Sequence, residues 1–421
     1  MNHLRWITQI DDYEHIVGKE AVDRLLVKAH RLRGLRVVNI SSTFYGGGVA
    51  EMLSSSTLLG RALGLRVDWR LIQGSPEFFG VTKKLHNGLQ GQEINLSQRK
   101  KDIYEQMAFE NALRMDIDHD LVIVHDPQPL PLIGHYRRTA PWVWRCHVDL
   151  SEPDSHVWDY LKGFADDYDA VVVSLPEYRQ KGLIPPQLVI MPGIDPFSPK
   201  NRALTKKEID ERLRHYKIPS DLPIITQVSR FDRWKDPEGV IKAFRKVRKE
   251  VDCTLVLLGN VATDDPEGQE VFEAVLKHKE DRVVILTATD SALVNALQRR
   301  SAVVIQKSRR EGFGLTVTEA MLKEAAVVGG DCGGIRRQIE DGVSGFLVSS
   351  VEEAAERIIQ LLKDAQLRQR LGAEARASVT RRFLMNRVVE QMLDMADAFE
   401  SFRSPNRDRI ASLAEDGPAY T

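Results

Sequence analysis

The chain is 421 residues long, 43% hydrophobic and 28% charged, which fits two ordinary globular domains and excludes a disordered polypeptide. With 59 Lys plus Arg against 60 Asp plus Glu the formal net charge is −1, so the charge balance calls for no nucleic-acid partner. The three cysteines, Cys146, Cys253 and Cys332, make neither a CxxC pair nor a zinc spacing. Their odd number, the charged stretch 1–10 and the lack of any run near about 18–20 apolar residues predict a cytoplasmic protein without a membrane span.

Short apolar runs alternate with helical patterns. Residues 37–40 (VVNI) read as a strand, followed by a glycine loop and a helix over 49–63. Residues 121–125 (LVIVH), 142–146 (WVWRC), 170–174 (AVVVS) and 188–191 (LVIM) read as further buried strands. The pattern breaks at 192–201 (PGIDPFSPKN), where prolines and a glycine predict an interdomain linker. After a charged helix over 205–216, strands are predicted at 224–228, 253–258, 282–286, 302–306, 326–329 and 345–348. Residues 351–402 read as helical and amphipathic, and 404–421 as a polar, frayed tail. Nearly continuous apolar strands separated by helices imply parallel sheets covered on both faces. The expected fold class is therefore α/β, with two doubly wound units, 1–195 and 196–383, whose ligands bind at the carboxyl ends of strands in a cleft.

Four strand-end regions hold residues able to carry chemistry. In 42–49 (STFYGGGV), Gly46, Gly47 and Gly48 let the backbone approach a ligand, and the helix start suits an anion such as a phosphate; a plain flexible turn explains the same residues. Neither GxGxxG nor GK[ST] is present, so nicotinamide-cofactor and P-loop readings lose ground. In 229–237 (SRFDRWKDP), Pro237 suits the first turn of a helix with Asp236 as its cap. Arg230 and Lys235 there are either a pair that neutralises a pyrophosphate leaving group or two solvated surface cations.

In 308–320 (SRREGFGLTVTEA), Gly312 and Gly314 free the backbone at a helix N-terminus. Glu311 lies in the loop and Glu319 more than a turn into the helix, where it either pairs with ribose hydroxyls or forms surface ion pairs. Glu-Gly-Phe-Gly followed by that second Glu is more specific than either part. The fourth region is His147-Val148-Asp149 after 142–146, with His125-Asp126-Pro127-Gln128-Pro129 after 121–125. Both suit sugar hydroxyls, and both also make ordinary turns.

Together these regions resemble the retaining glycosyltransferases of family 4, which have the GT-B fold of two facing Rossmann-like domains. The resemblance spans roughly 30–400. It rests on Glu311 and Glu319 with Gly-Phe-Gly-Leu, on Ser229-Arg230 and Lys235, and on Gly333-Gly334-Ile335 and 341–346 (DGVSGF). Within the family the chain is most similar to the trehalose glycosyltransferring branch, which joins a nucleotide-activated glucose to free glucose to give α,α-trehalose. The stretches that carry this are 46–51 (GGGVAE), 125–129 (HDPQP), 144–151 (WRCHVDLS), 227–232 (QVSRFD) and 264–268 (DDPEG). It departs at 191–196 (MPGIDP) and at Lys307, a charge expected near the nucleotide base, which leaves the base preference open.

The resemblance implies that the second domain binds the nucleotide. Arg230 and Lys235 would stabilise the departing diphosphate, helped by backbone at Gly46–Gly48 and at Gly312, Phe313, Gly314, Leu315 and Thr316. Glu319 would hold the ribose, Glu311 the glucosyl hydroxyls, and His147 the donor sugar. Asp126, Gln128 and Asp149 would orient the acceptor. The resemblance implies retention, no covalent nucleophile and no tightly bound metal, with Mg2+ able to accompany the nucleotide. The implied partners are UDP-, ADP- or GDP-glucose, glucose or trehalose, and a second copy in a homodimer, with no membrane. A helix over 384–403 is expected to pack back on the first domain. Alternatives are a family 4 hexosyltransferase with another acceptor, a sugar-nucleotide 2-epimerase, and a binding protein that has lost catalysis. A lipid acceptor would need a basic amphipathic helix that is not evident, and the intact Glu311, Arg230 and Lys235 argue against lost catalysis.

Overall fold

Runs such as LVIVH and AVVV have no polar face to offer water, and in the computed structural model both are buried along their whole length. The structure describes residues 8–45, 47–259 and 266–400, so Gly46, Asp264, Asp265 and the stretch 404–421 lie outside the described residues. The chain forms two compact units: the first runs to Pro192 and resumes at Met385, and the second is Gly193–Leu384.

The first unit is a parallel sheet of β1 (Arg36–Ser41), β2 (Arg66–Leu71), β3 (Leu121–His125), β4 (Trp142–Cys146), β5 (Ala170–Val173) and β6 (Gln187–Val189), in the order β2-β1-β3-β4-β5-β6. The strand β2 (RVDWRL) has no counterpart among the expected elements. It lies at the sheet edge and pairs only with β1, so it can carry Arg66, Asp68 and Arg70 that a central strand would not. Winding reverses between β1 and β3, and in such sheets the crevice opens at the carboxyl ends of those two strands.

The second unit repeats the plan with β7 (Ile224–Val228), β8 (Thr254–Gly259), β9 (Val283–Thr287), β10 (Val303–Gln306), β11 (Val327–Gly330) and β12 (Phe346–Val348), in the order β12-β11-β10-β7-β8-β9. Its switch point lies between β7 and β10. Alternate side chains cover opposite faces: Ile225, Leu255 and Leu257 pack with Phe244 and Ile358, while Ile224, Val256 and Leu258 pack with Leu213, Leu293 and Leu297. Each such side chain contributes about 1.5–3 kcal/mol by leaving water.

Residues 193–201 are folded into the second unit. Asn201 Nδ2 donates to the Asp195 carbonyl at 2.9 Å, and Lys323 Nζ donates to Asn201 Oδ1 at 2.9 Å. The expected single helical run 351–402 is three helices, Val351–Lys363, Ala365–Arg382 and Met385–Glu400. Asp364 caps the second through the Leu367 N–H, and the third begins after Leu384, which bridges Ile194. Within the first unit the helix Met385–Glu400 packs on the helices Lys19–Arg31 and Gly48–Ala62, with Lys28 Nζ 2.8 Å from Asp394 Oδ2. Among the described residues no helix is long and apolar enough to cross a membrane.

Candidate active site

In the second unit the chain leaves β7 and turns through Arg233–Lys235, a turn set by the Trp234 N–H donating to Asp232 Oδ1 at 2.8 Å. Gln227 Nε2 ties the end of the turn to β7 by donating to the Lys235 carbonyl at 2.7 Å. Asp236 follows with φ 50, in the left-handed region, and its side chain caps no helical N–H. Asp236 thus holds the expected cap position ahead of Pro237, but its carboxylate serves as an ion-pair hub. The Asp236 carboxylate receives Lys307 Nζ at 2.5 Å and Arg309 Nη2 at 3.1 Å. Lys307, expected near a nucleotide base, is buried against this carboxylate. The Arg309 N–H also donates to the Trp234 carbonyl at 2.8 Å, so the loops after β7 and β10 are braced to each other.

That brace brings two of the expected residues into contact. Lys235 Nζ lies 2.6 Å from Glu311 Oε2, with side-chain exposures of 16% and 11%, so Lys235 is not a solvated surface cation. Ser308 Oγ donates to the same Glu311 oxygen at 3.3 Å. Arg230 is more open, with Nη2 3.8 Å from Asp232 Oδ2.

Gly314, at φ 88, precedes the helix Leu315–Leu322, and a Cβ there would sit 3.2 Å from Glu311 Cγ. Gly334 is constrained further, since a Cβ would fall 2.3 Å from Phe313 Cα. The Phe313 ring is buried against Phe383, with centroids 5.5 Å apart, so its side chain anchors the loop from below. The Thr316 carbonyl accepts from Gln298 Nε2 at 3.1 Å, and Gly312, Gly314 and Leu315 complete the turn into the helix. Glu319 is only 1% exposed, which removes the surface-ion-pair reading; its Oε1 lies 3.4 Å from Lys200 Nζ. Lys323, also buried, donates to the Glu319 carbonyl and to Gln298 Oε1 at 3.1 and 2.7 Å.

In the first unit Gly47, at φ 94, starts the helix Gly48–Ala62 just past β1. Asp126 leaves β3 at φ 63, pinned by its N–H on the Arg145 carbonyl at 2.9 Å and by Trp144 Nε1 on its own carbonyl at 3.0 Å. Its Oδ1 accepts the His147 N–H at 2.7 Å. Burial pushes the Asp126 carboxyl up to about 7, against the opposing pull of the His147 N–H and the Arg145 charge. Burial, and then the Arg145 charge, hold the His125 and His147 rings well below the ordinary histidine range, so both are neutral at pH 7. Asp149 is buried, and its Oδ1 shapes the turn by accepting the Ser151 N–H and Oγ–H at 2.9 and 2.6 Å. Gln128 is half-buried beside Pro127, whose carbonyl accepts the Tyr104 hydroxyl.

Two residues outside the expected set, Asn39 and Arg145, join His125 in this region. Asn39 Oδ1 lies 3.0 Å from His125 Nε2. His125 Nδ1 lies 3.0 Å from His147 Nε2. Arg145, 3% exposed, points Nη1 and Nη2 at the sulfurs of Met392 and Met52, 3.2 and 3.6 Å away, and burial lowers it to about 10. Their signal in the sequence is a polar side chain inside an otherwise apolar strand, Asn39 in VVNI and Arg145 in WVWRC. Among the described residues no three His, Cys, Asp or Glu side chains are grouped to hold a metal ion.

Two six-stranded parallel sheets, each with its polar loops at the switch point, define the class: a glycosyltransferase with the GT-B fold of two Rossmann-like domains. Residues 39–180 match the trehalose synthase N-terminal domain, and 208–378 match the glycosyl transferases group 1. The chain is 43% identical over 399 residues to the trehalose synthase of Pyrococcus horikoshii, covering 93% of this chain and 96% of that one. It is 40% identical over 395 residues to that of Rubrobacter xylanophilus, covering 91% and 95%. Its fold is similar to that of the α,α-trehalose 6-phosphate synthase from Burkholderia multivorans, with a TM-score of 0.70 at 14% identity, covering 88% and 100%. The chain belongs to the trehalose synthase family, and it is a hexosyltransferase of trehalose chemistry.

Proposed function

We propose that the protein transfers a glucosyl group from a nucleoside-diphosphate glucose (UDP, ADP or GDP) to free glucose, with retention, giving α,α-trehalose. The observation that carries this reading is the Lys235–Glu311 pair at 2.6 Å, beside the N-terminus of the helix Leu315–Leu322. A diphosphate at that helix start meets free backbone N–H groups and the positive end of the helix dipole. Lys235 then divides its charge between Glu311 and the diphosphate, and Arg230 adds a second cation. As the bond from the anomeric carbon to the phosphate oxygen breaks, its electron pair goes to that oxygen, where both cations offset the new charge. The acceptor hydroxyl forms the new bond on the same face of the sugar and gives its proton to the leaving phosphate oxygen, so no covalent intermediate is needed.

Glu311, held by Lys235 and Ser308, presents its carboxylate to glucosyl hydroxyls, and Glu319 holds the ribose. His147 contacts the donor sugar, and Asp126, Gln128 and Asp149 orient the acceptor. The helix start at Gly47 and Gly48, which the resemblance assigns to the donor, offers backbone N–H groups of the kind an anion takes. Cys146, Cys253 and Cys332 form no disulfide, which suits the cytoplasm. The deciding experiment incubates the protein with each sugar nucleotide, with and without glucose. Trehalose and the nucleoside diphosphate should appear together, and only when both substrates are present. A changed sugar nucleotide without acceptor would instead mark an epimerase, and transfer to some other sugar would replace the acceptor.

A further inference from the structure

The polar groups buried in the first sheet form a row. Parallel register sets Asn39 of β1 beside Ile123 of β3, so Asn39, Ile123 and His125 share one face of the sheet. Asn39 is 6% exposed and His125 2%, while His147, just past β4, is half-buried. The contacts in this row are directional. The two imidazoles are coplanar within 8°, with centroids 5.4 Å apart and the facing nitrogens 3.0 Å apart. For nitrogens that close, this centroid separation is nearly the largest possible, so both nitrogens lie on the line joining the rings. The contact is an in-plane N–H···N hydrogen bond, end to end.

The hydrogens can then be placed by elimination. A neutral imidazole carries one N–H. An amide oxygen only accepts, so His125 Nε2, 3.0 Å from Asn39 Oδ1, holds the hydrogen of its ring and His125 Nδ1 is bare. That bare nitrogen must accept from His147 Nε2, which leaves His147 Nδ1 bare in turn. Among the described residues no hydrogen bond occupies His147 Nδ1. The burial of both rings beside the Arg145 cation keeps either from taking a second proton.

We propose that Asn39 and His125 are positioning residues that hold His147 in its Nε2–H tautomer, so that its Nδ1 accepts a hydrogen bond from a sugar hydroxyl. The second half rests on the assignment of His147 to the sugar made above. A ring held this way cannot donate to a phosphate or to a sugar ring oxygen. It selects for an O–H, and a deoxy or fluoro analogue at that position offers none.

The test is a long-range proton–nitrogen correlation spectrum of the full chain with 15N-labelled histidine, assigned with His147→Gln and His125→Gln. In both rings Nε2 should show the shift of a protonated nitrogen and Nδ1 that of a bare one. The reverse pattern, which a turned Asn39 amide would impose, or averaged shifts would overturn the proposal. Asn39→Leu removes the terminal acceptor and should average the His147 shifts. It should also raise the KM for sugar of order tenfold while leaving nucleoside-diphosphate affinity unchanged. An unchanged His147 pattern in a folded Asn39→Leu would remove Asn39 from the role. Saturating trehalose should shift the His147 Nδ1 signal. If the tautomer is as stated but this signal ignores trehalose, the sugar assignment fails while the tautomer chain stands.

Discussion

At the switch point of the second sheet, side chains meet as full charges: Lys235 on Glu311, Lys307 and Arg309 on Asp236, Lys200 on Glu319. At the switch point of the first sheet the side chains that meet are held neutral: Asn39 on His125, His125 on His147, with the Asp126 carboxyl raised to about 7. The same sheet plan carries both. The difference follows from what each region buries. Charges in a low-dielectric pocket are costly unless paired; Arg145, buried on two methionine sulfurs, is the cation whose field joins burial in keeping the neighbouring rings neutral, while a paired lysine can share itself with an arriving diphosphate. Neutral rings locked by hydrogen bonds to their neighbours keep fixed tautomers, and so read hydroxyl groups by direction rather than by charge.

Removing the cations should break the charged side hardest. Arg230→Ala and Lys235→Ala should each lower kcat by about 10²–10³, the cost of one lost leaving-group contact. They should part in stability: Lys235→Ala leaves a buried Glu311 without its cation and should unfold at lower urea concentration, whereas Arg230, 37% exposed, should not. A soluble variant with the wild-type rate would take that residue out of the mechanism.

Asp236→Asn tests the hub. It strands Lys307 and should cost about 3 kcal/mol of unfolding free energy in urea titration, at the low end for a broken buried pair. Adding Lys307→Met should restore most of this. Equal losses in the single and double variants would show that the pair is not what braces the loops.

Glu319→Gln should weaken nucleoside-diphosphate binding of order tenfold in calorimetric titration, with little effect on the KM for glucose. Unchanged binding would leave Glu319 as the buried partner of Lys200 and nothing more.

The neutral side is probed by pH. Asp126 is raised from 3.8 to about 7, so between those values the folded chain holds a proton that the unfolded chain has lost. Its contribution to stability therefore falls as pH rises through that window and is constant above it. Asp126→Asn keeps an oxygen for the His147 N–H and tolerates φ 63, so it should gain on the wild type between about pH 4 and pH 7. Parallel stability profiles would place the Asp126 titration outside that window.

The sequence shows the charged side more readily than the neutral one. Strands with no polar face, such as IITQV and AVVIQ, declare themselves, and the loops that follow them are where Arg230, Lys235 and Glu311 stand. What sequence cannot supply is which strands become neighbours. Lys307 and Asp236 are far apart along the chain and meet only because β10 lies beside β7. Asn39 and His125 likewise need β1 beside β3. The edge strand β2 escapes notice because an edge relaxes the demand for apolar residues, and Asp236 stands at the expected cap position but, with its backbone turned left-handed, gives its carboxylate to Lys307 and Arg309 rather than to a helical N–H. The helix break after Arg382 depends on Leu384 meeting Ile194, a contact no local pattern encodes.

The division between the two sheets is tested most directly by crossing two variants with two ligands. Calorimetric titrations of a nucleoside diphosphate and of trehalose, which carries the transferred glucosyl group, are measured for Lys235→Ala and for His147→Gln. The expected outcome is a crossed pattern: Lys235→Ala weakens the diphosphate of order tenfold or more and leaves trehalose alone, while His147→Gln weakens trehalose and leaves the diphosphate alone. If His147→Gln weakens the diphosphate as much as Lys235→Ala does, the assignment of charge to one sheet and hydroxyl reading to the other is wrong.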